Sequence, residues 1–267
     1  MFKLVFIDLD NTLLNKSGTV TPRSRAAISA LVLRGIRVVL ASGRPPRMVR
    51  QFQIALNLEG PSICYNGALV SASPSGGVLW ERRIPGQAAL VILDILRQAK
   101  VANILCECED CLTGEIEEEL LTRAVKEEWG FRADVPLAEM VKAGAHKLLA
   151  ICPRKDHPEL AKRLRHTLPG QIDFITSESG TSWLEILSAG TSKVVAAIEV
   201  GRLFSLDLAQ AAAFGDGEND AALLARVGLG IAMANGDPRA KAAAKRVAPS
   251  NDEDGVAQVV EELLAVG

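Results

Sequence analysis

The sequence holds little of what marks a thiol or imidazole metal centre, a disulfide framework or a membrane segment. Of 267 residues, three are histidine and five are cysteine. His146, His157 and His166 lie at separations that suggest no shared metal ion. An odd number of cysteines in a long chain argues against a disulfide framework and for a reducing compartment. Apolar runs are short. The first, up to Ile7, meets Asp8 and is too brief for a signal-peptide core. Residues 31–41 are interrupted by Arg34 and Arg37, and nothing approaches the ~20 apolar residues of a membrane span. A cytoplasmic protein is therefore expected. Charge of one sign is also missing: 30 Lys and Arg stand against 32 Asp and Glu, a formal net charge of −2, and the basic residues are spread along the chain. No field is left to draw it to nucleic acid. Aromatics make up 4%, and Trp80, Trp129, Trp183 and the seven Phe read as packing rather than as a stacking platform for bases.

What is present is a compact composition, 48% hydrophobic and 23% charged, with a mean hydropathy of +0.18. The length suits a core domain carrying a second, smaller one. Residues 3–7 form a short apolar run ending at an acidic residue, as a buried strand does at a polar edge. A helix should run from Pro22 to Arg34, with Thr21 as N-cap and Gly35 beyond its end. Strands at Ile36 to Ala41 and Ser62 to Cys64 flank a helix at Pro46 to Leu56. The C-terminal part repeats this grammar: strands at Ala211 to Phe214 and Leu229 to Ala232, helices at Asp220 to Val227, Asp237 to Ala244 and Val256 to Val266. Such alternation predicts α/β architecture, a doubly wound, Rossmann-like parallel sheet.

The middle differs. Helices at Gln87 to Gln98, Glu115 to Glu128 and Pro158 to Thr167 mix with strands at Ile104 to Glu107, His146 to Cys152, Asp173 to Thr176 and Trp183 to Ile186. Residues 83–187 thus read as an inserted α+β domain, leaving 1–82 and 188–267 as the core. Ser71 to Gly77 reads as a hairpin loop near the join.

Ligands in such sheets sit beyond the carboxyl ends of the strands, and there the sequence places Asp8, Ser42 and Asp216. In Asp8-Leu9-Asp10-Asn11-Thr12-Leu13, strand alternation would point both carboxylates to one side. One could attack phosphorus and hold a hard cation while the other moves protons; an Asx-type turn would use the same residues. Gly215-Asp216-Gly217-Glu218-Asn219-Asp220 crowds three acidic residues into six positions, costly unless a cation or protons relieve it. Oxygen ligands with no His or Cys beside them suit Mg²⁺. Capping of the next helix explains Asn219 or Asp220 equally well, but not Asp216. Ser42-Gly43-Arg44 offers a hydroxyl, a bare glycine amide and a nearby helix start, a phosphate cradle or an ordinary turn. Lys193, opening a helix to Val200, could offset carboxylates and hold a phosphoryl oxygen.

Taken in order, Asp8 to Leu13, Ser42 to Arg44, Lys193 and Gly215 to Asp220 resemble the four motifs of the haloacid dehalogenase superfamily, and more narrowly its Cof-type phosphatases, which insert an α/β cap between the second and third motifs. Asn66-Gly67-Ala68, Met233 to Gly236 and Asn251 to Val256 also match segments typical of that subfamily. The resemblance covers the core well and the insert only in length and position. It implies Mg²⁺-dependent hydrolysis of a small phosphate monoester, such as a sugar phosphate, phosphoglycolate or a cofactor phosphate. Asp8 would be the nucleophile and Asp10 the general acid and base. Ser42, Gly43, Arg44, Lys193 and Asn219 would bind substrate, and Asp8, Asp10 (through its carbonyl), Asp216 and Asp220 the metal. A phosphomutase or phosphotransferase would use the same core. A dehalogenase would not need Asp10, and a phospho-accepting receiver module would leave the insert unexplained. One departure is Val194, where the family usually has glycine after the lysine. Cys106, Cys108 and Cys111 could suggest a soft-metal site, but a second Cys-x-x-Cys to pair with Cys108-Glu109-Asp110-Cys111 and a fourth ligand are missing. Reduced thiols are the expectation there.

Overall fold

Strand β1, Leu4–Ile7, is buried along its whole length. In the computed structural model, which describes residues 2–72, 76–117, 129–176 and 182–266, it ends at the turn carrying Asp8 and Asp10. Helix α1, Pro22–Leu33, follows, and its N-cap Thr21 accepts a hydrogen bond from the Ser24 amide. That bond satisfies one of the four amides that a helix start leaves without an internal partner. Strand β2, Arg37–Leu40, and helix α2, Pro46–Ala55, come next. Strand β3, Ser62–Cys64, meets the end of β2 through a single parallel bridge, Ala41 to Ile63. Its main partner is antiparallel: β3, β4 (Leu69–Ser71) and β5 (Val78–Glu81) form a separate three-stranded sheet. The third strand expected in the parallel sheet therefore turns away from it, because the short Tyr65–Gly67 turn sends the chain straight back. Residues 73–75 of the expected hairpin loop lie outside the described residues.

The insert begins with α3, Gly86–Gln98, then β6, Asn103–Cys108, and β7, Cys111–Glu115. A helix was expected from Glu115, yet Cys111–Glu115 pairs with β6 instead. Glu109 and Asp110 adopt φ of 50° and 60°, the left-handed pair that closes a two-residue hairpin. The rest of that expected helix, residues 118–128, lies outside the described residues. Helix α4, Leu137–Lys142, strand β8, Lys147–Ile151, helix α5, His157–Thr167, and strands β9, Ile172–Thr176, and β10, Trp183–Ser188, complete it. The five strands run in the order β7-β6-β8-β10-β9, antiparallel throughout. Strand alternation sends Ile104, Cys106, Leu148 and Ile186 against Ile92 and Leu96 of α3 and Leu160 and Leu164 of α5. Leu105, Leu112 and Leu149 occupy the opposite face with Trp129 and Trp183.

After the insert come α6, Lys193–Leu203, β11, Ala211–Gly215, α7, Glu218–Arg226, β12, Leu229–Met233, α8, Pro238–Ala243, β13, Arg246–Ala248, and α9, Gly255–Val266. The chain divides into two units, Met1–Trp80 with Ser192–Gly267, and Glu81–Thr191. In the first, the parallel sheet runs β13-β12-β11-β1-β2. The alanines of β11 let Ala196, Ala197 and Val200 of α6 pack closely in the same core cluster. The chain leaves β1 toward β2 on one side and returns through β11 on the other. The reversal opens a crevice beyond the carboxyl ends of β1 and β11, where α/β sheets bind ligands. Among the described residues no helix is long and apolar enough to cross a membrane.

Candidate active site

Asp8 stands at the tip of β1, and its amide donates to the Phe214 carbonyl of β11 at 3.1 Å. Asp216 follows β11 directly, so neighbouring parallel strands deliver the two carboxylates side by side. The chain then bends through Leu9–Leu13 in a widened helical turn in which Asn11 adopts φ 57°. The bend brings the Thr12 hydroxyl to Asp216, donating to Oδ1 at 3.1 Å.

Lys193 opens α6 and is 1% exposed. Its Nζ donates to Asp8 Oδ1 and to Asp220 Oδ1, each at 2.6 Å. Asp220 Oδ2 accepts from the amides of Asp216 at 3.1 Å and Gly217 at 3.0 Å. Asp220 is thus a brace: one oxygen fixes the lysine and the other the loop that carries Asp216. Gly215 is needed beside it, since a Cβ there would lie 2.5 Å from Asp220 Cβ and Cγ.

Carboxylate oxygens of Asp8, Asp216 and Asp220 all lie within 4.8 Å of one another. Asp8 and Asp220 are buried and Asp216 is half-buried, so three carboxylates share the single ammonium of Lys193. Burial pushes the Asp8 carboxyl well above the usual carboxylate range, with Asp220 and Asp216 adding to the rise and Lys193 opposing it. Asp216 is pushed up to about 6, first by burial and then by Asp220, while the Thr12 hydroxyl pulls it down. Burial alone would lower Lys193, but Asp220 and Asp8 outweigh it and hold the ammonium above the ordinary lysine range. With all groups ionised the cluster carries two uncompensated negative charges on hard oxygen donors. A small divalent cation matches that charge and donor set.

Asp10 does not enter this cluster. Its carboxylate faces outward and is held by Arg44, with Nε donating to Oδ2 at 2.8 Å and a terminal nitrogen to Oδ1 at 2.5 Å. The Arg44 guanidinium also lies over the Phe52 ring, 5.5 Å from its centroid. Ser42 is fully buried, its amide donates to the Ile63 carbonyl at 2.9 Å, and its hydroxyl accepts from the Arg44 amide at 3.2 Å. Asn219 donates through Nδ2 to Asn66 Oδ1 at 2.8 Å.

Two further asparagines lace the Asp10 turn. Asn235 donates to the Asn11 carbonyl and Asn251 to the Leu14 carbonyl, both at 2.8 Å, and the Asn251 amide donates to Asn235 Oδ1 at 3.0 Å. Sequence reasoning noticed both segments but gave these residues no task. Their signal was two Asn-containing turns, each placed after a short strand. The cysteines of the insert are separated in role. Cys106 is buried in the core beside α3, where burial pushes its thiol up, and Cys108 lies 3.5 Å from Arg83.

The chain belongs to the haloacid dehalogenase-like hydrolases, whose family model matches residues 5–260. It is therefore an enzyme of a hydrolase family, as the motif resemblance implied. Among its relatives is the 5-amino-6-(5-phospho-D-ribitylamino)uracil phosphatase YitU of Bacillus subtilis, 27% identical over 98% of each chain. Another is an HMP-PP phosphatase of Yersinia pseudotuberculosis, 28% identical over 90% of this chain and 87% of that protein. A haloacid dehalogenase-like hydrolase from Bacteroides thetaiotaomicron has the same fold, with a TM-score of 0.86 and 26% identity over 98% of this chain and all of that one.

Proposed function

We propose that the protein is a Mg²⁺-dependent phosphatase that hydrolyses a small phosphate monoester through an aspartyl-phosphate on Asp8. The observation that carries this reading is the buried Asp8 carboxylate, hydrogen-bonded at 2.6 Å to Lys193 and within 4.8 Å of Asp216 and Asp220. The named activities of the Bacillus and Yersinia relatives, both phosphatases, support the same class.

The cation would be held by Asp8, Asp216 and the Asp10 main-chain carbonyl, with Asp220 supporting the set. When bound, it would neutralise charge on the transferring phosphoryl group. An oxygen of Asp8 attacks phosphorus, forming the Asp8 O–P bond as the ester P–O bond breaks. Lys193, Ser42, the Gly43 amide and Asn219 hold the phosphoryl oxygens as the equatorial charge shifts. Asp10 gives a proton to the departing alkoxide and takes one from the water that later attacks the aspartyl-phosphate, so that both protons balance. Because Arg44 occupies the Asp10 carboxylate, this transfer requires Asp10 to exchange those hydrogen bonds for the leaving group. The family resemblance would give the choice among esters to the insert, 83–187. The five cysteines, none of them in a disulfide, suit a reducing, cytoplasmic setting.

The test is a screen of metabolite phosphates and p-nitrophenyl phosphate in Mg²⁺, run with the wild type and Asp8→Asn side by side. Multiple turnovers by the wild type and at least a ~10⁴-fold loss in the variant are expected, because removing the nucleophile removes the covalent route. Equal rates in the two would end the reading.

A further inference from the structure

The turn after β3 has three consecutive residues at positive φ: Tyr65 at 52°, Asn66 at 55° and Gly67 at 98°. A bulky residue seldom occupies the left-handed region, and such strain persists only where the surroundings over-determine it, commonly at functional sites. Tyr65 and Asn66 are both buried, and the contacts of the turn show what fixes it. The Tyr65 amide donates to the Arg44 carbonyl and the Asn66 amide to the Ser42 carbonyl, each at 3.1 Å. A Cβ on Gly43 would lie 3.0 Å from the Asn66 side-chain amide, so a methyl there would press on that amide. A Cβ on Gly67 would lie 2.2 Å from the Ser192 carbonyl oxygen, so only glycine lets the turn pass the start of α6. Asn66 Oδ1 accepts from Asn219 at 2.8 Å. One three-residue turn thus touches the segments carrying Ser42, Lys193 and Asn219, which are far apart in sequence.

We propose that Asn66 is a positioning residue of the phosphoryl site, acting through Asn219; this rests on the phosphatase reading above. The physical reason is the two-sidedness of an amide. The Asn219 side chain offers a donor at one end and an acceptor at the other, and a phosphoryl oxygen is only an acceptor. A Cβ on Gly217 would lie 2.3 Å from Asn219 Oδ1, which places that oxygen over Gly217. Asn66 Oδ1 takes the opposite end. That acceptor selects one orientation of the Asn219 amide, and without Asn66 the amide could turn its oxygen toward the phosphoryl group.

Asn66→Gly is the clean deletion, because glycine accepts φ of 55° without strain. The readouts are the competitive inhibition constant of inorganic phosphate and the kcat and KM for p-nitrophenyl phosphate in Mg²⁺. For Asn66→Gly, Asn219→Ala and the double variant we expect about a tenfold rise in the phosphate constant, the loss of one part-buried hydrogen bond. The double variant should be no worse than Asn219→Ala alone, because the first residue works through the second. Gly43→Ala reaches the same contact with Asn66 in place: its methyl would press on the amide, and its effect should vanish once Asn219 is alanine. A wild-type phosphate constant in Asn66→Gly, or effects that multiply in the double variant, would overturn the assignment. The two readings fail separately. If the wild type turns over and Asp8→Asn does not, the phosphatase reading stands whatever Asn66 does; a wild type without turnover removes both.

Discussion

Replacing Lys193 with methionine removes the one ammonium that three carboxylates share while keeping a long apolar stem. The lysine is 1% exposed and hydrogen-bonded at 2.6 Å to both Asp8 and Asp220, so solvent screening offers little relief. Removing one partner of a buried ion pair costs about 3–5 kcal/mol, because the remaining charge stays desolvated. For a protein of this size each kcal/mol moves Tm by roughly 2–4 °C. Lys193→Met should therefore lower the Tm of the metal-free protein by about 6–20 °C at pH 7.5. The loss must also depend on pH. Asp8 and Asp216 already sit above the usual carboxylate range, Asp216 at about 6, and removing the ammonium raises them further. As pH falls through 6 Asp216 takes up a proton, the repulsion fades, and the gap between wild type and variant should narrow toward pH 5. Asp8→Asn in the same background should recover part of the loss at pH 7.5 by deleting one charge. Calorimetric scans of the three proteins at pH 5 and 7.5 give the answer. A variant gap under 2 °C, or one of equal size at both pH values, would refute the charge-sharing argument.

A cation bound at Asp216 would compete with protons, since that carboxyl is pushed up to about 6. The half-saturating Mg²⁺ concentration should be nearly constant above pH 7 and rise about tenfold for each pH unit below 6; titrations of activity against Mg²⁺ at several pH values would show a flat dependence if the idea is wrong. Arg44→Ala should move Tm by no more than about 2–4 °C, since its pair with Asp10 is 24% and 51% exposed and such pairs contribute about 0–1 kcal/mol. Its effect should appear in kcat, lowered about tenfold at unchanged KM, because Asp10 then begins its exchange to the leaving group from no fixed position. A rise in KM alone would instead put Arg44 on the substrate.

The core was legible because its elements follow local rules strongly. Thr21-Pro22 opens α1 with a side-chain cap and a proline at the first helical position, and Val38 to Ala41 is apolar on both faces, as a strand between helix layers must be. Where tertiary pairing decides, the reading was less complete. Ser62–Cys64 has the composition of a buried parallel strand, but its partner is chosen by the turn at Tyr65–Gly67. Glu115 carries good helix propensity, yet the two-residue turn at Glu109-Asp110 recruits Cys111–Glu115 as a strand. Strand β13 has three residues, too few for any period to be counted.

The candidate site divides along the same line. Each acidic residue at a strand tip could be picked out because strand ends are visible in sequence and a buried carboxylate cluster has few innocent explanations. What no spacing encodes is which oxygen meets which donor. Asp220 resembles a first-turn acid of α7, a place where acidic residues are common for the helix dipole alone. Only the fold shows one of its oxygens spent on Lys193 and the other on two backbone amides. That division has a consequence for any bound cation. Both Asp220 oxygens are engaged, whereas Asp8 has one oxygen outside the Lys193 contact and Asp216 has one outside the Thr12 contact. A cation would therefore be ligated directly by Asp8 and Asp216, with Asp220 fixing the loop and the lysine between which they are held.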